Sequence, residues 1–373
     1  MLGWTELTGI IDGPTATGPH ATGGAMPTDL SDTSVAGPST AAEEFEQRKR
    51  SPINRIQHLL LGDPWLGPAA VLLLAIIAFG IINPNFVEPT NLSLVVQQVA
   101  VIATLGLGQT LIILTAGIDL SVGAAMILVT MVMGSLASAH GVPGPLALLI
   151  GLVLGFGCGV LNGVLVTTIK LPPFIVTLGT LSVFTALSLI LSGGQSIDGD
   201  SLGSLLNWTG TAIPVGQFRI TTGVLVMLVL YAVVAFALGQ TAWGRHVYAV
   251  GDDSQAARLS GIRTSRVLFS VYATAGVIFA LAAWILIGRT GSASPNAAVD
   301  ANLDSITAVV IGGTSLFGGR GVVVGTLLGA LIVGVFRSGL ALAGVNVQYQ
   351  TLAVGILVIA AVAIDRWIRG VSA

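Results

Sequence analysis

The feature that most restricts this chain is a series of ten apolar runs, each close to the length a helix needs to cross a bilayer. About 20 mostly apolar residues span the hydrocarbon core. Such runs lie near residues 67–83, 92–115, 121–139, 145–169, 174–192, 220–239, 267–288, 304–318, 322–343 and 348–364, the eighth being short and flanked by glycine pairs. Inside lipid, backbone N–H and C=O groups must find partners within the segment, which makes helices the solution for runs of this length. The expected fold is an all-α, polytopic transmembrane bundle of about ten helices. Only 9% of the residues are charged and 53% are apolar, whereas a soluble domain carries about 25% charge. The 49 glycines let helix backbones approach closely where no hydrophobic force draws them together.

A net charge of −2 without a basic stripe argues against nucleic acid as a partner. The single cysteine, Cys158, sits among glycines in an apolar run and reads as a small packing residue. Residues 1–62 differ in kind, being rich in Gly, Pro, Thr, Ser and Ala and lacking an apolar run long enough for a signal-peptide core. They are expected to form a disordered cytoplasmic arm ending in the polar stretch Glu43, Glu44, Glu46, Arg48, Lys49 and Arg50. The transmembrane domain is expected over 63–373.

Ten crossings place both termini on one side, and basic residues test that reading through their bias toward the cytoplasm. Arg48, Lys49, Arg50, Arg55, Lys170, Arg245, Arg258, Arg263, Arg266, Arg320, Arg366 and Arg369 then fall inside, while Arg219 and Arg289 fall outside. The termini are therefore expected in the cytoplasm. Arg337 alone lies within a run. An ionisable group there is costly and functional by default, unless it pairs with a buried carboxylate or reaches a hydrated cavity for structural reasons.

The chain also repeats itself. Gly151, Gly155, Gly159 and Gly163 form one smooth face along the fourth run, a close-packing surface. In the ninth run Thr326, Ala330, Gly334 and Ser338 keep the same spacing, so that Gly159-Val160-Leu161-Asn162 aligns with Gly334-Val335-Phe336-Arg337. A duplicated five-helix unit follows, with halves at about 67–192 and 220–364. Because five is odd, the second copy enters the membrane inverted, as in many transport folds. The same register pairs Ile118-Asp119-Leu120-Ser121 with Leu303-Asp304-Ser305 on opposite faces. Each of these residues can cap a helix start, or line a hydrated pathway at the positive end of a short, interrupted helix.

The longest charged loop, within 240–266, runs from Trp243 to Gly261. One short helix is expected there, with Asp252, Asp253 or Ser254 as N-cap, Gln255 to Ser260 as body and Gly261 as terminator. Two turns are unstable alone, so a partner or the membrane domain must brace them. The chain has no Gly-rich phosphate loop followed by Lys and Ser or Thr, no HExxH and no GxSxG string, and its four histidines are scattered. Active transport would therefore draw ATP hydrolysis from another chain.

Five segments carry a family likeness: Ala116-Gly-Ile-Asp-Leu-Ser-Val-Gly123, Lys170-Leu-Pro-Pro-Phe-Ile-Val-Thr-Leu-Gly-Thr180, Gly244-Arg-His-Val-Tyr-Ala-Val-Gly251, Ala256-Ala-Arg-Leu-Ser-Gly-Ile262 and Ala308-Val-Val-Ile-Gly-Gly-Thr-Ser-Leu-Phe-Gly-Gly-Arg-Gly321. They resemble the ribose-type sugar permeases of ATP-binding-cassette importers, in family order over about residues 65–368. The resemblance implies a permease subunit for a pentose, a related hexose or a polyol. It implies pairing with a second permease subunit, identical or different, with two ATPase subunits carrying ATP and Mg, and with an extracytoplasmic binding protein. This chain itself is expected to bind no cofactor and no metal and to catalyse no reaction.

Gly251 to Gly261 would then couple to the ATPase, with Gly251, Asp252, Asp253, Gln255, Ala256, Ala257, Arg258 and Gly261 as its residues. Gln255 stands where the family usually has Glu, Asn302 where it often has Glu, and Ala116 where Gly is common. Gln109, Asp119, Ser121, Asn162, Thr177 and Asp304 are expected along the pathway, solvating hydroxyls weakly rather than forming a deep, charged, high-affinity site. Branched-chain amino acid or nucleoside permeases are the closer rivals. A passive channel or ion-coupled carrier would more often place several ionisable groups within its spans, and a membrane enzyme would need a convergent His, Asp or Glu cluster.

Overall fold

The structure, a computed structural model, describes residues 65–297 and 300–370; the expectation for residues 1–62 lies outside them. The described chain is almost wholly helical. In order it forms α1 (Leu66–Ile82), α2 (Pro89–Leu114), α3 (Val122–Ser138), α4 (Gly144–Thr167), α5 (Pro173–Ser192), α6 (Gly203–Asn207), α7 (Thr222–Gln240), α8 (Ala242–Asp252), α9 (Ser254–Leu259), α10 (Thr264–Thr290), α11 (Ala301–Ile311), α12 (Val323–Leu342) and α13 (Val347–Gly370). Six of these, α2, α4, α5, α7, α10 and α12, are long and apolar enough to cross a membrane. Prolines open α2, α4 and α5 in their first turn, where the missing N–H costs nothing. Glycines in the left-handed region end α5 at Gly193 and α10 at Gly291.

Helices α2 and α10 form the centre, with most of their length buried, while α4, α5 and α7 leave most of theirs exposed. The exposed faces carry large apolar side chains such as Leu149, Val153, Ile190, Val229 and Phe236, as suits a lipid-facing surface. The glycine row on α4 does what its spacing predicts. A Cβ on Gly155 would fall 2.6 Å from both Ala280 Cβ and the Gly276 carbonyl oxygen, and one on Gly159 would meet the Tyr272 carbonyl. Gly151 faces Met133 of α3 and Gly163 faces Tyr272 and Phe269. Backbone thus lies against backbone along α4 and α10.

Two small sheets lie at one end. β2 (Ala212–Val215) and β3 (Phe218–Thr221) form an antiparallel hairpin, and β1 (Ile197–Asp198) pairs antiparallel with β4 (Ser292–Ala293). The hairpin is tied to the start of α2, where Gln97 Nε2 donates to the Arg219 carbonyl at 3.0 Å and Arg219 N–H donates to Ser93 Oγ at 3.0 Å. The opposite end carries α8 and α9. Basic residues sort between these ends as expected: Arg245, Arg258, Arg263, Arg266 and Arg320 lie on or beside α8, α9 and the start of α10, whereas Arg219 and Arg289 belong to the hairpin end.

The eighth predicted run needs correction. It begins at Ala301 and stops at Ile311, not at 318. Eleven residues rise about 16 Å, roughly half the hydrocarbon thickness. Gly312 ends the helix and Gly313, with φ of 81°, turns the chain, so residues 312–322 form a loop. α3 and α11 are short, oppositely directed elements. α3 runs toward the sheet end, where Gly134 packs on Ala293, and α11 runs toward the α8 end, where Gly312 meets the start of α12 at Gly325.

Candidate functional site

The segment between α2 and α3 is built to interrupt a helix. Ala116, itself exposed, takes a left-handed φ of 60° just after the buried C-terminal turn of α2, and Gly117 N–H still reaches the Ile112 carbonyl at 3.0 Å. Asp119 follows, 1% exposed. Its Oδ1 accepts from Ser121 N–H at 2.7 Å and from Ser121 Oγ at 2.6 Å. Asn162 of α4 donates through Nδ2 to Ser121 Oγ at 2.9 Å and to Asp119 Oδ2 at 3.4 Å. Thr177 of α5 donates to the Ile118 carbonyl at 3.1 Å. The structure therefore gathers Asp119, Ser121, Asn162 and Thr177 around one broken segment. Asp119 braces the turn ahead of α3, and the N-cap Ser121 makes no side-chain bond to the helix. The capping alternative fails here because the carboxylate is spent two residues upstream of the helical N–H groups.

The second repeat shows the matching pair with different chemistry. Asp304 lies in the first turn of α11, inside the helix rather than at its cap, and the N-cap position belongs to Asp300. Arg337 of α12 donates through Nη2 to Asp304 Oδ1 at 2.7 Å and approaches Asp300 Oδ2 at 3.4 Å. These are the two ion pairs among the described residues. Asn162 with Asp119 and Arg337 with Asp304 are thus equivalent contacts in the two repeats, one neutral at the α4 position and one charged at the α12 position. The two broken segments meet directly, where Gly123 N–H of α3 donates to Asn302 Oδ1 of α11 at 2.6 Å. Of the expected pathway residues only Gln109 stands apart: it is fully buried in α2 and both of its amide atoms lack a partner.

Three of the five motif segments converge at this same C-terminal end of α2. Gly319 N–H donates to the Leu114 carbonyl at 3.0 Å. A Cβ on Gly251 would overlap that same carbonyl and lie 2.7 Å from Gly319 N, and one on Gly318 would lie 2.6 Å from the Gly251 carbonyl oxygen and 2.9 Å from Ala116 Cβ. Tyr248 of α8 adds a hydrogen bond from its hydroxyl to the Gly321 carbonyl at 2.9 Å. Here backbone is in contact with backbone from the α2 terminus, the α8 terminus and the loop after α11.

The charged loop holds two helices, not one. Residues expected as its entrance form α8, N-capped by Thr241 accepting from Gly244 N–H. Asp253 then ends α8 and caps α9, its Oδ1 accepting from Gln255 N–H at 2.8 Å and Ala256 N–H at 3.0 Å. Gly261, at φ of 86°, closes α9. Gly251 and Ala257 are buried, and Asp252, Asp253, Gln255, Ala256 and Arg258 are exposed. Leu259, 90% exposed, was not among the expected residues. Its signal was visible in the sequence as an apolar residue on a predicted two-turn helix, but the face it occupies depends on where α9 begins.

The same chain was compared with known proteins. The family model described as "Branched-chain amino acid transport system / permease component" matches residues 91–362. The fructose import permease protein of Rhizobium meliloti is 46% identical, over 94% of this chain and 98% of that protein. The ribose import permease protein of Bacillus subtilis is 41% identical, over 81% of this chain and 92% of the relative. The D-allose transport system permease protein of Escherichia coli is 33% identical, over 88% and 98%. No solved structure matches the chain.

Proposed function

The chain belongs to the permease component family of the branched-chain amino acid transport system type, and from that premise we propose that it is the membrane-spanning subunit of an ATP-driven importer for a monosaccharide. The observation that carries the proposal is the convergence at Leu114, Gly251 and Gly319. An exposed two-turn helix, capped at both ends, follows directly on the end of α8, and that end is seated on the backbone seam that terminates α2 and follows α11. Force applied to α9 is thereby delivered to the elements that break within the bundle, without passing through a flexible linker.

In this reading α9 and its flanks, from Gly251 to Gly261, dock on a separate ATPase subunit that holds ATP and Mg, with Leu259 filling an apolar groove. The α8 and α9 end and both termini face the cytoplasm, in line with the placement of the arginines. The sheet end faces outward and receives solute from a binding protein, and a second permease subunit completes the pathway. Asp119, Ser121, Asn162, Thr177 and Asp304 lie along the moving seam, and transport proceeds by rocking one repeat against the other. The sugar class is supported by the fructose, ribose and allose permeases among the relatives.

The test is uptake of radiolabelled fructose, ribose, allose, xylose, inositol, leucine and adenosine in cells that lack the gene and in cells that have it restored. Restored uptake of a monosaccharide supports the proposal. Restored uptake confined to leucine or adenosine overturns it.

A further inference from the structure

Beside the Arg337 ion pairs lies a cavity of about 340 Å³, at the small end of the roughly 300–1,000 Å³ found for small-molecule sites. Its wall is shared by α2, α10, α11 and α12. The polar groups reaching it are Gln98, Arg289, Asn296, Asp300, Asp304 and Arg337. Gln98, Arg289 and Asn296 are exposed at the rim, and Asp304 is buried at the floor. Among the described residues Arg289 makes no ion pair or side-chain hydrogen bond, and Arg337 keeps a buried Nε without a partner. Two arginines and two aspartates sum to no net charge, yet they offer carboxylate acceptors and guanidinium donors within one small volume. Four ionisable groups around one void is an expensive arrangement inside a bundle of apolar spans, and such expense marks a solute pathway by default.

We propose that this cavity is a weak binding site for one neutral, polyhydroxylated solute, in which Asp300 and Asp304 accept from hydroxyls while Arg289 and the free edge of Arg337 donate to them. The balance of charge disfavours anions, which would leave both carboxylates opposed. It also disfavours an apolar solute, which would bury four charged groups against nothing. The Arg337 pair with Asp304 holds the floor rigid, and Arg289, Gln98 and Asn296 provide the adjustable rim. Selection among sugars is thus made a second time inside the permease, after delivery. The inference rests on the monosaccharide reading above.

The full-length protein in lipid nanodiscs, without a binding protein, is titrated with D-fructose, D-ribose and D-allose, and saturation-transfer NMR records sugar contact. Uptake of the same three sugars by the assembled importer is measured in cells. For the sugar that is imported, wild-type protein gives saturable transfer in the millimolar range. Arg289→Gln and Asn296→Leu weaken that binding at least tenfold, and both leave the two ion pairs among the described residues intact. Leu161→Val, on the exposed face of α4, changes nothing. Normal import of a sugar that gives no saturable transfer, or whose binding ignores Arg289→Gln and Asn296→Leu, overturns the site and leaves the monosaccharide reading standing. Import of no monosaccharide, xylose included, overturns the reading, and the site with it.

Discussion

Replacing Gly251 by Ala tests the mechanical link between α9 and the bundle most directly. The added Cβ would overlap the Leu114 carbonyl oxygen, 2.7 Å from Gly319 N and 2.9 Å from Leu114 C. All three are backbone atoms, so no side chain can swing aside. Overpacking costs about 1–3 kcal/mol. If the Gly319 N–H to Leu114 bond opens to make room, the two buried groups it leaves add about 1–3 kcal/mol. A penalty of at least ~2 kcal/mol moves the docked position of α8 more than tenfold toward the undocked one. In reconstituted importer, Gly251→Ala should therefore abolish most solute-stimulated ATP hydrolysis and uptake, while insertion and the intrinsic activity of the ATPase persist. Gly239→Ala is the control: that glycine is helical with open space around it, and the change should be neutral or slightly stabilising. Wild-type uptake in Gly251→Ala would refute the argument that the seam transmits force.

Asp304→Asn leaves Arg337 with Asp300 alone. Breaking a buried pair costs about 3–5 kcal/mol, reduced here to roughly 1–3 because Arg337 is 23% exposed and keeps a second carboxylate; thermal unfolding in detergent should fall, and Arg337→Gln added to Asp304→Asn should recover most of the loss. Ala116→Gly should stabilise the protein by about 1 kcal/mol, because an L side chain at φ of 60° carries that order of strain, and the same unfolding assay reads it. Leu259→Ser should weaken capture of the ATPase subunit in a pull-down while leaving the unfolding midpoint unchanged, since the side chain is 90% exposed.

What could be read in the sequence was what depends on period or on local spacing. The α4 glycines at every fourth position had to form one helix face, and that face meets Gly276 and Ala280. The register of Gly159 to Asn162 against Gly334 to Arg337 placed two residues as equivalents, and each contacts the aspartate of its own repeat. Gly261 announced one end of α9 and the run Asp252, Asp253, Ser254 the other, because caps are local chemistry, and the structure selects Asp253 among the three. The partner of Arg337 was legible only as a class, a carboxylate, because the contact spans 33 residues and nothing local marks Asp304. The cavity was invisible for the same reason, since four separate elements wall it. The short α11 was overread because Val309, Val310 and Ile311 run on into Leu316 and Phe317 in hydropathy, and the turn at Gly313 depends on φ, which hydropathy does not carry.

The two repeats share a scaffold and differ in how wet it is. In the first, Asp119 is 1% exposed and surrounded by neutral donors; in the second, its equivalent Asp304 is also buried, but the neighbouring Asp300 is 42% exposed in its side chain and both stand on a cavity with two arginines. A neutral amide at position 162 brings no charge of its own into the closed segment: its Nδ2 pairs with Ser121 and Asp119, while its Oδ1 lies buried without a partner among the described residues. Arg337 cannot be sealed as cheaply, and it stands on an open cavity. The Gly123 to Asn302 hydrogen bond joins the closed segment to the open one at their helix starts, so neither can shift along the bundle without moving or releasing the other. The 2.6 Å contact at Asn302 is therefore the direct side-chain link between the two segments, and any relative motion of α3 and α11 must stretch or break it.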